Sequence, residues 1–409
     1  MSGYTVLAMR VSEKKKIALV LSGGGIKAAA FHLGVCLALR EKGFQFAGGS
    51  KDEVKLKYSS DKLTFKVYVG SSAGAVISTF LASGYSIEAI IDAFERGSAT
   101  DLKKLTNRRK VYMRLKPITY RDMFALNGGN FISMIPNVLR RKSIVTGGLE
   151  ALLKNGFKIN GLFTTKGVER YMRQHVVKNN SFASLGTELY IVATQLNHSR
   201  KVIFGDFEKT TKEKTIEYAN YAQISDAVAA SASLPPVFAP YGIRNQNGKE
   251  LFFFDGEIRE TLSTHVAADA GADLVISSYS VQPYHYTPEM GSLHNYGIPV
   301  IINQALYQVV QQKIEKHIEH QQNISAVISA IDGYFKQAGL PDEHREKLIE
   351  IVAKRAHHKL GVDYVYIHPS PQDHEMFFVD HFSLSPEILG RIVHIGFKAA
   401  LQVLRKLDM

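Results

Sequence analysis

Two short runs in this chain each end in a glycine-rich turn and give way to a helix of small residues. Ile17 to Leu21 is apolar throughout, follows Lys14-Lys15-Lys16, and is broken by Ser22-Gly23-Gly24-Gly25. Ala28 to Leu39 is then apolar almost all round and stops at Gly43. Leu63 to Val69 repeats the order: Gly70-Ser71-Ser72-Ala73-Gly74 turns the chain and Ala75 to Leu81 continues it. A strand apolar at every residue is covered on both faces, and a helix apolar all round is buried. Strand then helix, twice, predicts an α/β fold with a largely parallel sheet.

The rest of the chain extends this pattern. Ser86 is placed to cap a short helix that stops near Gly97. Leu189 to Ala193 and Val202 to Phe204 read as a strand pair turning at Asn197-His198-Ser199. Ile224 to Ser231 predicts a short apolar helix before Leu234-Pro235-Pro236, and Leu251 to Phe254 a strand that delivers Asp255 at its end. Leu274 to Ser277 is a further buried strand. Helical period fills Ile301 to Ala356 with a break near Gly339-Leu340-Pro341, and Tyr364 to Ile367 is a last short strand. Ser385-Pro386-Glu387 starts a final helix that runs to about Leu404. No repeat or linker divides the 409 residues. The expected organisation is an N-terminal arm over 1–16, a main body over 17–300, and a helical elaboration over 301–409 packed on the same domain.

Charge is unevenly spread. Lys plus Arg number 50 against 38 Asp plus Glu, a formal +12 that favours an anionic partner. Residues 101–142 hold eleven basic and two acidic side chains, a net +9. Arg108, Arg109, Lys110, Arg140, Arg141 and Lys142 sit there among Val111, Tyr112, Met113, Phe131 and Ile132, interrupted by Gly128-Gly129 and Pro136. A basic cap or lid over 101–160 is expected, with an anionic membrane surface as its partner. A solvated basic face over a structural cap is the plainer alternative.

Cys36 is the single cysteine, so no disulfide forms within the chain, which fits a reducing compartment. The first ten residues have too short an apolar stretch, and no charged region before it, for a cleaved signal. No run of about 18 apolar residues occurs. The expected location is cytoplasmic with peripheral membrane contact; export without a cleaved signal stays open.

Three segments carry chemistry. Gly70-Ser71-Ser72-Ala73-Gly74 fits the nucleophile elbow G-x-S-x-G, in which a serine on a tight strand-to-helix turn holds its hydroxyl out. Gly70 and Gly74 remove side chains that would clash there. Ser22 to Lys27 places the N–H groups of Gly23, Gly24, Gly25 and Ile26 at a helix N-terminus, where negative charge is stabilised. In an acyl hydrolase such a loop holds the oxyanion. Gly23-x-Gly25-x-x-Ala28 also satisfies a dinucleotide-binding pattern, although no convincing strand ending in Asp or Glu follows about twenty residues on. The P-loop pattern is not met. Serine needs a base, and Asp255 stands after Leu251-Phe252-Phe253-Phe254 and before Gly256. A buried carboxylate there is costly unless used or paired, and burial raises its pKa. An aspartate in an ordinary turn is the bland reading. His317-Ile318-Glu319-His320 lacks metal spacing and reads as a solvated helical face. No metal or organic cofactor is expected.

Glycine loop, elbow and distant Asp-Gly, in that order, resemble the patatin-like phospholipase family. Leu189 to Thr194, Val202 to Asp206, Ala230 to Phe238 and Gly271 to Ile276 extend the resemblance over roughly residues 17 to 280. The resemblance implies a three-layer α/β/α fold with a mainly parallel central sheet. It implies a Ser–Asp dyad without histidine, with Ser72 as nucleophile, Asp255 as base and Gly23 to Ile26 as oxyanion loop. It implies cleavage of acyl-ester lipids, membrane phospholipids first. Two positions depart from the family: Ala28 where glycine is usual, and Glu257 where a small residue follows Asp-Gly. Glu257 puts a second carboxylate near the base, where it raises the Asp255 pKa or shapes substrate choice.

Other readings stay open. An α/β-hydrolase would use a Ser–Asp–His triad, and His265, His285 and His294 all follow Asp255. A non-catalytic nucleotide-, nucleic-acid- or lipid-binding protein would explain the glycine loop and the charge. It would leave the elbow and Asp255 unexplained, so nucleic acid is the disfavoured partner.

Overall fold

The computed structural model describes residues 11–58, 62–98, 115–127, 160–259 and 261–407. Arg108, Arg109, Lys110, Arg140, Arg141 and Lys142, with most of the expected basic cap, lie outside them. The central sheet is built on β1 (Ile17–Leu21), β2 (Thr64–Ser71), β3 (Glu188–Gln195), β4 (Arg200–Phe204), β5 (Ile216–Ala219), β6 (Glu250–Asp255), β7 (Leu274–Ser278) and β8 (Asp363–Ile367), with shorter strands at its margins. Along the sheet the order is β8-β7-β1-β2-β3-β4-β5. Neighbours run parallel except β3 and β4, which form the expected antiparallel pair.

β1 is buried at every residue. Its side chains alternate between two cores, as a period of two requires. Ile17, Leu19 and Leu21 face the larger core, and Ala18 and Val20 the smaller. α1 (Gly25–Glu41), α2 (Ala73–Ala82), α3 (Ile87–Ser98) and α4 (Ile224–Ser231) cover the first face, and α5 (Thr264–Asp269) brings Val266 and Ala267 to the second. This is the mixed α/β architecture, with a mainly parallel sheet, that the strand–helix pattern predicts. α1 begins at Gly25 rather than Ala28, because the last loop glycine already belongs to the first helical turn. α2 likewise begins at Ala73, directly after Ser72.

The C-terminal third contains α6 (Ile298–Gln337), α7 (Asp342–Arg355) and α8 (Pro386–Leu404). It also adds a strand to the sheet: β8 runs parallel to β7, pairing Tyr364 with Val275. α8 lies on α1 so closely that a Cβ on Gly34 would stand 2.0 Å from the Val393 carbonyl oxygen. Among the described residues no helix is long and apolar enough to cross a membrane.

Candidate active site

The site forms where β2 stops. Ser71 ends the strand, α2 starts at Ala73, and Ser72 between them has φ 52° and ψ −120°. A positive φ is uncommon for a residue with a side chain and costs about 1–3 kcal/mol, so it persists only where the surroundings impose it. Two contacts impose it here. The Ser72 N–H donates to the Ser231 hydroxyl at 2.8 Å, and that hydroxyl donates to the Val192 carbonyl at 2.6 Å. The Gly74 N–H donates to the Ser22 carbonyl at 3.1 Å, and a Cβ on Gly74 would lie 2.0 Å from the Leu21 carbonyl oxygen. The elbow therefore rests directly on the end of β1.

Sequence reasoning missed His32, which braces that end. Its Nε2 lies 2.9 Å from the Ser22 carbonyl and its Nδ1 2.8 Å from the Ser278 hydroxyl. The carbonyl can only accept, so Nε2 carries the proton and Nδ1 accepts from Ser278. Burial pushes the imidazole down to about 4, which keeps it neutral.

Asp255 arrives by backbone pairing. β2 lies beside β3 as far as Ser71, which pairs with Val192. β6 then takes β2's place beside β3, antiparallel, and its last residue Asp255 pairs with Ala193. Ser72 and Asp255 thus leave adjacent rungs of one strand. The Asp255 N–H donates to the Ser233 carbonyl at 3.1 Å, and its own carbonyl accepts from the Thr194 hydroxyl at 3.1 Å. Its carboxylate accepts the Glu257 N–H at 2.9 Å. Asp255 is 2% exposed. Burial pushes its pKa up to about 6, against hydrogen bonding from the Ser72 side chain and the Glu257 N–H. The rise comes from burial; Glu257 acts on Asp255 through its N–H, and its side chain lies against Gly23, whose Cβ would meet Glu257 Cγ at 2.6 Å.

The glycine loop faces the same place. A Cβ on Gly23 would also lie 2.8 Å from Ser72 Cβ. The Lys27 N–H is taken by the His381 carbonyl at 3.2 Å. Among the described residues the N–H groups of Gly23, Gly24, Gly25 and Ile26 have no acceptor. These N–H groups at the start of a 17-residue helix carry fractional positive charge.

A narrow apolar cleft opens beside Ser72, with a cavity volume of about 50 Å³. Ile26, Val76, Met123, Leu234, Phe238 and Phe382 line it. Its apolar lining suits a hydrocarbon chain placed next to the serine. Phe382, 5.3 Å from the Phe124 ring, comes from the C-terminal third, and nothing in its local sequence marks it.

The three downstream histidines are elsewhere engaged or exposed. His265 meets Lys201 Nζ at 2.8 Å, His294 meets the Ser292 hydroxyl at 2.8 Å, and His285 is exposed. No histidine is among the groups that act on the Asp255 carboxyl.

Residues 19–268 match the family described as patatin-like phospholipase. The uncharacterized protein YqhO of Bacillus subtilis (strain 168) is 32% identical over 129 residues, covering 31% of this chain. The match spans 36% of that relative's own length. With more than half of its residues matched to the family, the chain belongs to the patatin-like phospholipases.

Proposed function

We propose that the chain hydrolyses carboxylic esters of membrane phospholipids with Ser72 as nucleophile and Asp255 as base. The observation that carries this reading is the pairing of Ser71 and Asp255 with consecutive residues of β3. It brings a strained serine and a buried carboxylate together without any third side chain. Above about pH 6 Asp255 is ionised and accepts the Ser72 proton as Oγ attacks the ester carbonyl. The N–H groups of Gly23 to Ile26 hold the oxyanion, each such donor being worth about 10²–10³ in rate. The alcohol leaves with the proton from Asp255. Water then attacks the acyl-enzyme as Asp255 takes its proton; the bond from Ser72 Oγ to the acyl carbon breaks, Asp255 returns the proton to Oγ, and the fatty acid departs. The cleft of Val76, Leu234 and Phe238 receives the acyl chain.

The basic segment that includes Arg108, Arg109, Lys110, Arg140, Arg141 and Lys142 would dock on an anionic bilayer, each charge contributing on the order of 1 kcal/mol. Such docking weakens steeply with salt, and salt-independent vesicle binding would exclude it. The domain reading is a single unit in which residues 301–409 complete the body formed by 17–300.

The deciding experiment is fatty-acid release from anionic phospholipid vesicles by wild type, Ser72→Ala and Asp255→Asn, each shown to be folded. Release in wild type alone supports the dyad. Activity that survives Ser72→Ala means another nucleophile. Inactive wild type, on vesicles and short-chain esters alike, would favour a lipid-binding relative without catalysis.

A further inference from the structure

Lys27 follows the glycine loop as the third residue of α1, and it is 1% exposed. A buried ammonium requires partners. Its Nζ donates to the Tyr307 hydroxyl at 2.9 Å and to the Met376 carbonyl at 2.6 Å, and lies 5.3 Å from the Tyr307 ring centroid. Both partners come from the C-terminal third, Tyr307 from α6 and Met376 from the segment before α8. Burial lowers the Lys27 pKa to about 7, opposed by the charge of Asp380, so hydrogen bonds hold it rather than a close carboxylate.

The chain of contacts continues to the loop itself. Lys27 donates to the Tyr307 hydroxyl, which therefore keeps its own proton to give, and His381 Nε2 stands 3.2 Å away to accept it. With Nε2 accepting, the proton of the neutral imidazole sits on Nδ1, which points at the Gly24 carbonyl 3.5 Å away. The His381 main-chain carbonyl meanwhile accepts the Lys27 N–H, and a Cβ on Gly25 would lie 2.5 Å from that same oxygen. The Gly24 carbonyl and the Gly25 N–H belong to one planar peptide unit and point opposite ways. A partner on the Gly24 oxygen therefore aims the Gly25 N–H, and Gly25 lines the cleft beside Ser72.

We infer that Tyr307 and His381 are positioning residues that hold the peptide planes of the Gly23–Ile26 loop through Lys27 and Gly24, making the C-terminal third a working part of the oxyanion site. The inference rests on the reading of that loop as the oxyanion donor. Neither side chain touches the reacting atoms; their effect is on where the loop's N–H groups point. A misplacement of about 1 Å at such a site costs as much as a hundredfold in rate.

The test uses the full chain with a soluble short-chain p-nitrophenyl ester. Tyr307→Phe removes one oxygen atom, and His381→Ala removes the imidazole. Each is expected to lower kcat about tenfold to a hundredfold with KM within about twofold, since the interaction matters only once the oxyanion forms. The double variant should lose no more than the worse single one, because the two act in series. His381→Asn, whose amide N–H can replace the Nδ1 donor, should recover part of the rate. Hydrogen exchange followed by mass spectrometry gives a reading independent of turnover: the Lys27 N–H, which donates to the His381 carbonyl, should exchange at least about tenfold faster in both single variants. If His381→Ala does not fold, Tyr307→Phe carries both measurements. A wild-type kcat with unchanged exchange, or a loss confined to KM, would overturn the inference. Wild type without Ser72-dependent hydrolysis would overturn the oxyanion role, while the exchange rates would still show whether the C-terminal residues hold the loop.

Discussion

The main-chain N–H of Ser72 donates to the Ser231 hydroxyl over 2.8 Å, and the Ser231 O–H in turn donates to the Val192 carbonyl. The N–H of the proposed nucleophile is therefore consumed in holding the elbow, which in the proposed mechanism leaves the oxyanion to the glycine loop. Ser231→Ala would strand a buried N–H, at a cost of about 1–3 kcal/mol in unfolding free energy. It should also lower kcat more than tenfold with little change in KM. Urea unfolding and ester turnover measure the two effects. A variant as stable and as fast as wild type would show that this contact does not set the Ser72 conformation.

Activity should depend on pH through Asp255. In the proposed mechanism its carboxyl must be ionised to accept the Ser72 proton, so kcat/KM should rise through about pH 6 and level off above it. The stability consequence has the opposite direction. The folded pKa lies above the reference value of 3.8, so between 3.8 and about 6 the folded state keeps a proton that the unfolded chain has released. Stability therefore falls as pH rises across that window, by on the order of 3 kcal/mol. Asp255→Asn should be inactive yet more stable than wild type at pH 8. Equal stabilities at pH 8 would argue against a raised pKa.

Gly74→Ala should be among the most damaging one-atom additions in the protein. The added methyl would sit 2.0 Å from the Leu21 carbonyl oxygen, a backbone atom of the central strand that cannot swing aside. A loss of about 3 kcal/mol or more is expected. Thermal unfolding of the purified variant, or its failure to accumulate as soluble protein, checks this.

The cleft makes a prediction about chain length. Val76 lines it one turn along α2 from Ser72. Val76→Trp should fill it, reducing kcat/KM at least about tenfold for a long-chain ester while a butyrate ester loses less than about threefold. An equal loss for both would mean that the acyl chain lies elsewhere.

The elbow, the glycine loop and Asp255 were legible in the sequence because each is a local signal. Glycines at fixed offsets around Ser72, and a carboxylate capping an apolar strand, state their backbone requirement within a few residues. The supports of the site were not legible. Ser231, His32, Tyr307, His381 and Phe382 are ordinary residue types whose meaning depends on partners far along the chain, up to 357 positions away for His381 and Gly24. Sequence period read β8 as a short strand but not as a neighbour of β7, since parallel pairing leaves no local turn to announce it. The same limit hid the handover from β2 to β6 beside β3. The fold class was legible because short apolar runs twice break at glycines and give way to a longer run of small residues; the order of strands was not.

That handover also sets a register rule for the chain. Side chains along β6 point alternately to opposite faces, so Asp255 reaches Ser72 only in the register that pairs it with Ala193. The turn before β6, at Asn245 to Gly248, can lengthen or shorten at little cost to the site. A single residue added between Phe252 and Asp255 would put the preceding residue in the place of Asp255, and a single deletion would put Gly256 there; either would turn the carboxylate away. A change of two residues restores the face but moves the carboxylate roughly 7 Å along β3, so the proposed activity allows neither, a constraint on length rather than on composition.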